Sequence, residues 1–260
     1  MGDRTGIEWT DATWNPVTGC TRVSAGCDHC YAASLAERLL REIYLRRAPA
    51  VESAQNRADP FAVRLWPERL EQPAKWVDPR IVFVNSMSDL FHSDIPDAYV
   101  QRVFGVMLAV DRHVYQVLTK RPSRALRFWR RHADLFGHQP VPEHIWIGTS
   151  IENQDVVYRV DHLRQVPAAV RFLSCEPLLG PLALELTGVH WVIAGGESGP
   201  NYRSLDLAWA RGIRDQCHTA RIPFFFKQVG GRTPKASGRE LDGVTWDEMP
   251  SIGPAAAVTA

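Results

Sequence analysis

The chain has 260 residues, of which 45% are hydrophobic and 23% charged, and its formal net charge is +1. That length suffices for one large domain with a full core, and the nearly balanced charge excludes an overall field, so a nucleic-acid partner would need a local basic surface. No apolar run approaches the roughly 18 residues of a membrane span, and the beginning of the chain has no apolar signal core. We therefore expect a cytoplasmic protein that makes no membrane contact and whose five cysteines stay reduced.

The first third of the chain predicts a short strand, a cysteine-rich loop, a helix and an irregular insertion. Residues 15–19 predict the strand that leads into the loop, and residues 31–46 predict the helix that follows it. Residues 47–79 are rich in proline and show no clear period. We expect them to form an insertion between the first and second strands of the domain.

Six later segments are short and almost continuously apolar, which is typical of parallel strands buried on both faces. They are 81–84, 114–118, 145–148, 170–173, 191–194 and 223–226. Helical patterns lie between most of them, at 95–110, 123–136, 153–164 and 205–220. After the last strand, residues 230–250 predict a hairpin extension with its turn at Asp242-Gly243, and the tail 252–260 is expected to fray.

This alternation of strand, loop and helix implies parallel strands joined by right-handed crossovers. Two architectures contain such units: a partial or complete β/α (TIM-like) barrel of six to seven strands, and an open doubly wound sheet. A barrel places its active site at the carboxyl ends of the strands, and polar side chains stand directly after the apolar segments. We therefore predict a single α/β domain over residues 1–260, built on a parallel β/α barrel.

The polar residues at the predicted strand ends are candidates for a binding site. They are Asn85, Ser86, Ser88, Asp89, Lys120, Arg121, Ser150, Glu152, Asn153, Ser174, Glu176, Glu197 and Lys227. Serine, aspartate and asparagine at such positions also serve as helix N-caps, which explains any single loop equally well. That explanation fails for Lys120, Glu176, Glu197 and Lys227, because lysine and glutamate are poor N-caps.

The strongest functional signal is the cysteine loop, Cys20-x6-Cys27-x2-Cys30. Three thiolates this close in sequence can converge on one soft metal centre, and Gly19 and Gly26 permit the tight turns that such wrapping requires. A structural zinc ion usually takes four ligands, and here only an awkwardly placed histidine would supply the fourth. We therefore predict an iron–sulfur cluster at this loop, with zinc or unligated cysteines as the alternatives.

In this loop the chain resembles the radical S-adenosylmethionine enzymes, whose signature is a three-cysteine loop after the first strand of a partial β/α barrel. Cys27-Asp28-His29-Cys30 matches the second half of that signature, with His29 in the position of the usual aromatic residue. The first gap is six residues where the family usually has three. The chain also resembles a phage-associated, three-Cys-motif family of unknown function. The matching segments run from Gly6-Ile7-Glu8-Trp9-Thr10 and Thr13-Trp14-Asn15-Pro16 through Thr119-Lys120-Arg121-Pro122 to Lys227-Gln228.

The first resemblance implies a 4Fe-4S cluster on Cys20, Cys27 and Cys30, with one open iron that binds S-adenosylmethionine. Reductive cleavage, with an electron from a reductant protein, then gives a 5′-deoxyadenosyl radical. Under this resemblance the cofactor-binding residues are His29, Asn85, Ser86, Ser88, Asp89, Ser150, Glu152, Asn153, Ser174 and Glu176. The catalytic residues facing the substrate would be Lys120, Glu197 and Lys227, together with Arg121. Their charges suit a polar or anionic substrate such as a nucleotide or nucleic acid, with a peptide as the alternative.

Two other functions compete with this one. The first is a non-catalytic iron–sulfur or zinc protein that binds nucleic acid through the basic residues Lys120, Arg121, Arg124, Arg127, Arg130 and Arg131. A solvated outer helix of a barrel would carry the same arginines over 123–136. The second is a metal-dependent hydrolase, but the nine histidines include no H-x-H or H-E-x-x-H pair. Cleavage of S-adenosylmethionine would separate the enzyme from the binding module.

Overall fold

The computed structural model describes residues 5–136, 140–234 and 236–251, so the fraying predicted for the tail 252–260 lies outside the described residues. The α-helices in these ranges are α1 (Tyr31–Arg38), α2 (Arg41–Leu45), α3 (Ala54–Ala58), α4 (Asp97–Ala109), α5 (Pro122–Arg131), α6 (Arg159–Arg164) and α7 (Leu207–Ala220). The strands are β1 (Ala12–Trp14), β2 (Val17–Thr18), β3 (Arg64–Leu65), β4 (Ile81–Val84), β5 (Val114–Thr119), β6 (Ile145–Ser150), β7 (Arg171–Cys175), β8 (Trp191–Gly195), β9 (Phe224–Gln228), β10 (Glu240–Leu241) and β11 (Val244–Thr245).

Seven of these strands form one parallel sheet in the order β1-β4-β5-β6-β7-β8-β9. Each strand lies beside its predecessor, so every crossover moves in the same direction and the sheet has no switch point. This order confirms the predicted partial parallel β/α barrel and excludes the doubly wound alternative. Within the described ranges, the sheet stays open between its edge strands β1 and β9.

Aromatic side chains on the inner face show that the sheet is curled into a half-barrel. The ring centroid of Trp9 lies 4.7 Å from that of Phe83 on β4 and 6.3 Å from that of Trp191 on β8. In a flat sheet those two strands would lie roughly 19 Å apart, at about 4.8 Å per strand. The inner face is therefore concave. We call the aromatic residues that fill its amino-terminal half the aromatic floor: Trp9, Phe83, Trp146, Phe172, Trp191 and Phe225.

The outer face of the sheet packs against the helices. Strand residues of alternating position, such as Val84 on β4 and Phe226 on β9, are fully buried there. Phe104 of α4 and Ile213 of α7 belong to the same cluster. Because both faces of the strands are covered over most of their length, the strands read as continuous apolar runs in the sequence.

The strand predicted over 15–19 is confirmed in part by β2 (Val17–Thr18), but the first strand of the parallel sheet lies earlier, at β1. Pro16 has no N–H to donate to a ladder. The side chain of Asn15 is also used elsewhere, since its Oδ1 accepts a hydrogen bond of 2.9 Å from the Met87 backbone N–H. Strand β2, which follows Pro16, pairs instead with β3 in a separate antiparallel ribbon.

Three predicted helices are shorter than expected. The helix predicted over 31–46 is divided into α1 and α2, because Leu39 and Leu40 leave the helical conformation. Leu40 then packs against the cluster that contains Tyr44. The helix predicted over 123–136 ends with α5 and is followed by the 3-10 turn Ala133–Phe136. The helix predicted over 153–164 opens with the 3-10 turn Gln154–Val156 before α6 begins.

The insertion and the segment after β9 supply further short strands and one short helix. Residues 47–79 supply α3 and β3 between the first and second strands of the sheet. Near the chain end, β10 and β11 form an antiparallel hairpin with Asp242 and Gly243 at its turn. The chain then returns to the bottom of the half-barrel, where Met249 packs on the aromatic floor. In the part of the chain that the structure describes, no helix is long and apolar enough to cross a membrane.

Candidate functional site

The charged residues predicted at the strand ends lie along one edge of the half-barrel. The register pairs Thr119 with Thr149, Ser150 with Ser174, Cys175 with Ala194, and Gly195 with Gln228. Because the strands are parallel, Lys120, Glu152, Glu176 and Glu197 follow their carboxyl ends on this same edge, and Lys227 lies near the end of β9. We call this edge the mouth.

The cysteine loop, residues 19–30, runs along the mouth. It begins at Gly19, whose φ is +87° and whose ideal Cβ would lie 2.2 Å from the Ala62 carbonyl oxygen, so the insertion leaves no room for a side chain. The loop continues through the 3-10 turn Ala25–Cys27 and ends at Cys30, the N-cap of α1. Cys20, Cys27 and Cys30 form no disulfide, and as residues they are partly exposed.

The first anchor of the loop is Arg121, which directly follows Lys120 at the end of β5. Its guanidinium lies 3.3 Å from the Cys20 sulfur, 3.0 Å from the Asp89 carboxylate and 2.8 Å from the Thr21 carbonyl oxygen. Burial, followed by the charge of Asp89, raises the pKa of Cys20 to about 11, although Arg121 opposes this. At neutral pH this thiol carries its proton, so a metal bound there would release it.

The second anchor is Glu152, beyond the end of β6, which is 1% exposed. Its carboxylate accepts hydrogen bonds from Lys120 Nζ (2.8 Å), Arg159 Nη1 (2.9 Å) and Ser24 Oγ (2.9 Å). Gly26 lies against it, with its ideal Cβ 2.4 Å from Glu152 Cγ, so only a glycine lets the loop approach this closely. Burial by itself would raise the pKa of Glu152, but the charges of Lys120 and Arg159 lower it below its usual value.

The third anchor is Glu197, beyond the end of β8. Arg203 donates to its carboxylate from Nη2 (2.5 Å), Nε (2.9 Å) and the backbone N–H (2.8 Å), and His29 Nδ1 lies 2.9 Å from Oε2. Arg203 also donates to the Ala25 carbonyl oxygen at 3.0 Å and approaches Asp28 at 3.5 Å. Burial would raise the pKa of Glu197, but the hydrogen bonds from Arg203 and His29 lower it.

A further ion pair at the mouth joins Lys227 and Glu176. Lys227 Nζ lies 3.1 Å from Glu176 Oε1. The pair reaches across β8 at Gly195, whose ideal Cβ would lie 2.6 Å from the same oxygen. Tyr31, the first residue of α1, is close enough for the charge of Glu176 to act on its hydroxyl; burial and the nearby Cys30 contribute more to the raised pKa of Tyr31.

The predicted cofactor residues at the end of β4 mostly bind the neighbouring chain. Asn85 Oδ1 accepts a hydrogen bond from the Val17 N–H at 3.4 Å, and Ser88 Oγ donates to the Val17 carbonyl oxygen at 3.1 Å. The hydroxyl of Tyr31 donates to the Ser86 carbonyl oxygen. Asn85 has a φ of 61°, and its buried Nδ2 has no hydrogen-bond partner among the described residues. The residues at the end of β4 therefore bind β2 and α1, and only the side-chain NH2 group of Asn85 has no partner among the described residues.

Three further predicted residues come from β6, β7 and the turn after β6. Ser150 and Ser174 are register partners, and each is 2% exposed. Asn153 Nδ2 donates to Asp155 Oδ2 at 3.3 Å, within its own turn. The structure thus places both serines at the mouth and gives Asn153 a local partner.

The number and spacing of the cysteine sulfur atoms limit which metal group the cysteine loop could bind. Among the residues that the structure describes, no group of three His, Cys, Asp or Glu side chains is arranged to hold a single metal ion. One tetrahedral zinc ion would need its sulfur ligands roughly 3.8 Å apart, given a Zn–S bond of about 2.3 Å. A cluster distributes its thiolates over different irons and accepts a wider separation. Within the described residues the three thiols are not gathered into a metal site, so the cluster on Cys20, Cys27 and Cys30 stays a prediction.

Several residues that shape the site escaped the sequence interpretation. Arg203 and Arg159 lie beyond the strand ends, in a loop and in α6, and were not considered. Thr21 was also missed, although its hydroxyl lies 2.7 Å from Nε2 of the buried His92. A usable signal existed for the arginines, because a buried carboxylate such as Glu152 requires a cation and each arginine follows its glutamate closely in sequence.

The arginines of the predicted nucleic-acid surface are largely bound within the protein. Arg124 and Arg131 each lie 3.4 Å from an oxygen of Asp97. Arg130 donates to a side-chain amide at the end of α6 at 2.9 Å. Of these four arginines, Arg127 alone has no partner in the described ranges. A helix whose cations are mostly paired offers few contacts to a phosphate backbone.

Comparison with known proteins bears on the whole chain. Residues 4–250 match a family model described as "Protein of unknown function (DUF5131)". No curated protein and no solved structure matches significantly. The matched range contains the cysteine loop, its three anchors and all seven strands of the sheet. The chain therefore belongs to the DUF5131 family of proteins of unknown function.

Proposed function

We propose that the protein is a radical S-adenosylmethionine-type iron–sulfur enzyme with its cluster on Cys20, Cys27 and Cys30. The observation that carries this proposal is the position of the cysteine loop. It follows β1 of a partial parallel β/α barrel and lies at the carboxyl ends of the strands. Barrels of this kind build their active sites at that edge. The resemblance of Cys27-Asp28-His29-Cys30 to the radical enzymes implies the same position.

The surroundings of the thiols support an anionic metal group. Arg121, 3.3 Å from the Cys20 sulfur, brings a positive charge to the first ligand. Cys30 is the N-cap of α1, so the positive end of a helix lies beside the last ligand. The three cysteine residues are only partly buried, which is compatible with access by a small molecule.

The chain's own residues would position the reactants and exclude water. When bound and reduced by an electron-donor protein, the cluster and S-adenosylmethionine would supply a 5′-deoxyadenosyl radical. Ser150 and Ser174 offer hydroxyl groups for the cofactor at two neighbouring strand ends. A radical must be kept from solvent. The insertion, through Ala62, and the loop that carries Arg203 both pack on the cysteine loop and form candidate walls on two sides.

The competing function, a non-catalytic iron–sulfur or zinc protein that binds nucleic acid, has less support. Its arginines on α5 are mostly paired within the protein. At the mouth, Arg121 contacts Asp89 and the cysteine loop, and Lys120 contacts Glu152, so both cations are already paired with carboxylates.

The test is anaerobic reconstitution with iron and sulfide, followed by incubation with dithionite and S-adenosylmethionine. Wild-type protein should release 5′-deoxyadenosine slowly, even without substrate, as measured by chromatography. Cys27→Ala should release none. Cys217→Ala, at a buried thiol on α7 away from the loop, should retain both the cluster and the cleavage. A protein that binds one zinc and no sulfide, or that holds an intact cluster without cleaving the cofactor, contradicts the proposal.

A further inference from the structure

The Glu176–Lys227 ion pair differs from the other charged groups of the mouth in its contacts. Arg121, Glu152 and Glu197 each anchor the cysteine loop. Within the described ranges, no hydrogen bond or ion pair joins Glu176 or Lys227 to that loop. The two side chains remain partly exposed, at 12% and 23%. A charged pair that the loop does not use, and that solvent can reach, is accessible to a ligand.

The pair lies inside the half-barrel, above the aromatic floor. Phe225 belongs to the floor, and Lys227 follows it by two residues on β9, so both side chains lie on the inner face. Glu176 meets Lys227 there, after β7, whose Phe172 also belongs to the floor. Since the floor fills the amino-terminal half of the half-barrel, the mouth is the approach to the pair.

Two backbone features bring the pair together. The register between β8 and β9 passes from Ala194–Phe226 to Gly195–Gln228, which leaves Lys227 opposite no residue. Such bulges occur beside active sites because they redirect one side chain. Gly195 then leaves the space through which the Glu176 carboxylate crosses β8. The bulge in β9 and the glycine in β8 lie at the same point of the sheet. Together they allow Lys227 and Glu176 to meet.

The open positions of the pair define the ligand. An ammonium group has three N–H donors and a carboxylate has two oxygens. The contact between Lys227 Nζ and Glu176 Oε1 uses one of each, and the remaining positions have no partner among the described residues. Glu176 would repel a simple anion, and Lys227 would repel a simple cation. A ligand with adjacent carboxylate and ammonium groups meets an opposite charge at both positions and keeps the interior neutral.

We propose that Glu176 and Lys227 bind the zwitterionic head of an amino acid, so that the substrate is a free amino acid or a molecule that ends in one. The inference rests on the proposed function in naming this ligand a substrate, whereas the binding itself needs no cluster. The charges of the mouth predict a polar substrate. This inference adds that the substrate carries a positive and a negative group side by side.

The test is a comparison of three small probes with the full-length protein, in the presence and absence of the reconstituted cluster. L-Alanine carries both charges, acetate only the negative one and methylamine only the positive one. Ligand-observed NMR should show alanine binding at least about tenfold more tightly than either of the others. Lys227→Met and Glu176→Gln should each weaken alanine binding by about tenfold or more. The exposed residues of the insertion provide matched controls, Lys75→Met and Glu71→Gln, which should bind like wild type.

Each single variant leaves one charge without its partner, so a double variant is needed to separate binding from folding. Lys227→Met combined with Glu176→Gln restores neutrality, and its thermal unfolding should resemble that of wild type while alanine binding stays lost. Three probes that bind equally, no alanine binding by wild type, or undiminished binding in the double variant overturns the inference. Alanine binding without cleavage of S-adenosylmethionine contradicts only the proposed function, and cleavage without alanine binding contradicts only this inference.

Discussion

Gly26 of the cysteine loop packs directly on the side chain of Glu152, far along the chain. An ideal Cβ on Gly26 would lie 2.4 Å from Cγ and 2.6 Å from Oε1 of this glutamate. Glu152 also accepts hydrogen bonds from Ser24 of the loop and from Lys120 and Arg159. The conformation of the loop and the buried ion-pair network therefore depend on each other.

Replacing Gly26 with alanine should disturb both. The added methyl group displaces Glu152 from its partners, and we expect the free energy of unfolding to fall by about 1–3 kcal/mol. Urea unfolding followed by circular dichroism measures this change. Gly105→Ala is the control, because nothing lies within 4 Å of its ideal Cβ in the middle of α4. That substitution should stabilise the helix by about 1 kcal/mol. Equal effects of the two substitutions would show that Gly26 has no special contact.

Removing the charge of Glu152 should change stability and its dependence on pH. At neutral pH, Glu152→Gln leaves Lys120 and Arg159 facing an uncharged amide, with a loss of about 3–5 kcal/mol. The folded-state pKa of Glu152 is lowered, since the two cations outweigh the effect of burial. Its contribution is therefore present above the unfolded pKa of about 4.3 and is lost as the pH falls through the lower folded pKa.

The measurement is the free energy of unfolding in urea between about pH 3 and about pH 7, which spans the loss of this contribution. Below about pH 4, wild type should lose stability more steeply than Glu152→Gln. Glu71→Gln, at an exposed residue of the insertion, should keep the wild-type pH dependence. If the free energy of unfolding falls equally steeply with decreasing pH in wild type and in Glu152→Gln, this carboxylate does not have the proposed role.

Arg203 should determine how firmly the loop is held. Arg203→Met removes the side-chain donors to Glu197 and to the Ala25 carbonyl oxygen and keeps the backbone N–H donor to Glu197. A loss of about 1–2 kcal/mol from the closed loop corresponds to an increase of about 5–30-fold in its open population. Labelling of the loop thiols by iodoacetamide under native conditions should accelerate accordingly, with the two buried thiols, Cys175 and Cys217, unlabelled. Arg232→Met, at an exposed arginine, is the control, and equal labelling rates in the two variants would refute this anchor.

Trp9 should contribute more to the stability of the aromatic floor through its ring than through its indole N–H. Trp9→Ala removes the ring that contacts both Phe83 and Trp191, and we expect a loss of about 3–5 kcal/mol. Trp9→Phe keeps an aromatic ring and removes an Nε1 donor that has no hydrogen-bond partner in the described part of the chain. Its cost should therefore stay below about 1.5 kcal/mol. Thermal or urea unfolding of both variants checks this, and similar losses in the two would mean that the ring itself contributes little.

The strands and their order could be predicted because buried parallel strands appear in the sequence as short, continuous apolar runs. The apolar runs over 81–84 and 191–194 correspond closely to β4 and β8, and the regular alternation with helices implied the parallel order. The position of Lys120 and Glu197 at the mouth follows from the same reasoning, since each comes directly after a strand. Local composition is sufficient for such features.

The partners of these residues could not be predicted, because they are set by tertiary contacts. Nothing near Ser24 in the sequence points to Glu152, and nothing near Ala25 points to Arg203. The bulge at Lys227 is equally hidden, since β9 reads as an uninterrupted apolar strand up to that residue. The first strand of the sheet was misplaced because β1 is only three residues long, too short to show a clear apolar run.

The order in which the chain is synthesised gives the anchoring of the cysteine loop one more consequence. The three cysteines leave the ribosome before Glu152, Glu197 and Arg203, which come later in the chain. Chains emerge from their N-terminus and domains fold as units. A nascent chain that has exposed Cys20, Cys27 and Cys30 therefore still lacks the groups that hold their loop in place. The loop can therefore take its anchored form only after Glu152, Glu197 and Arg203 have left the ribosome.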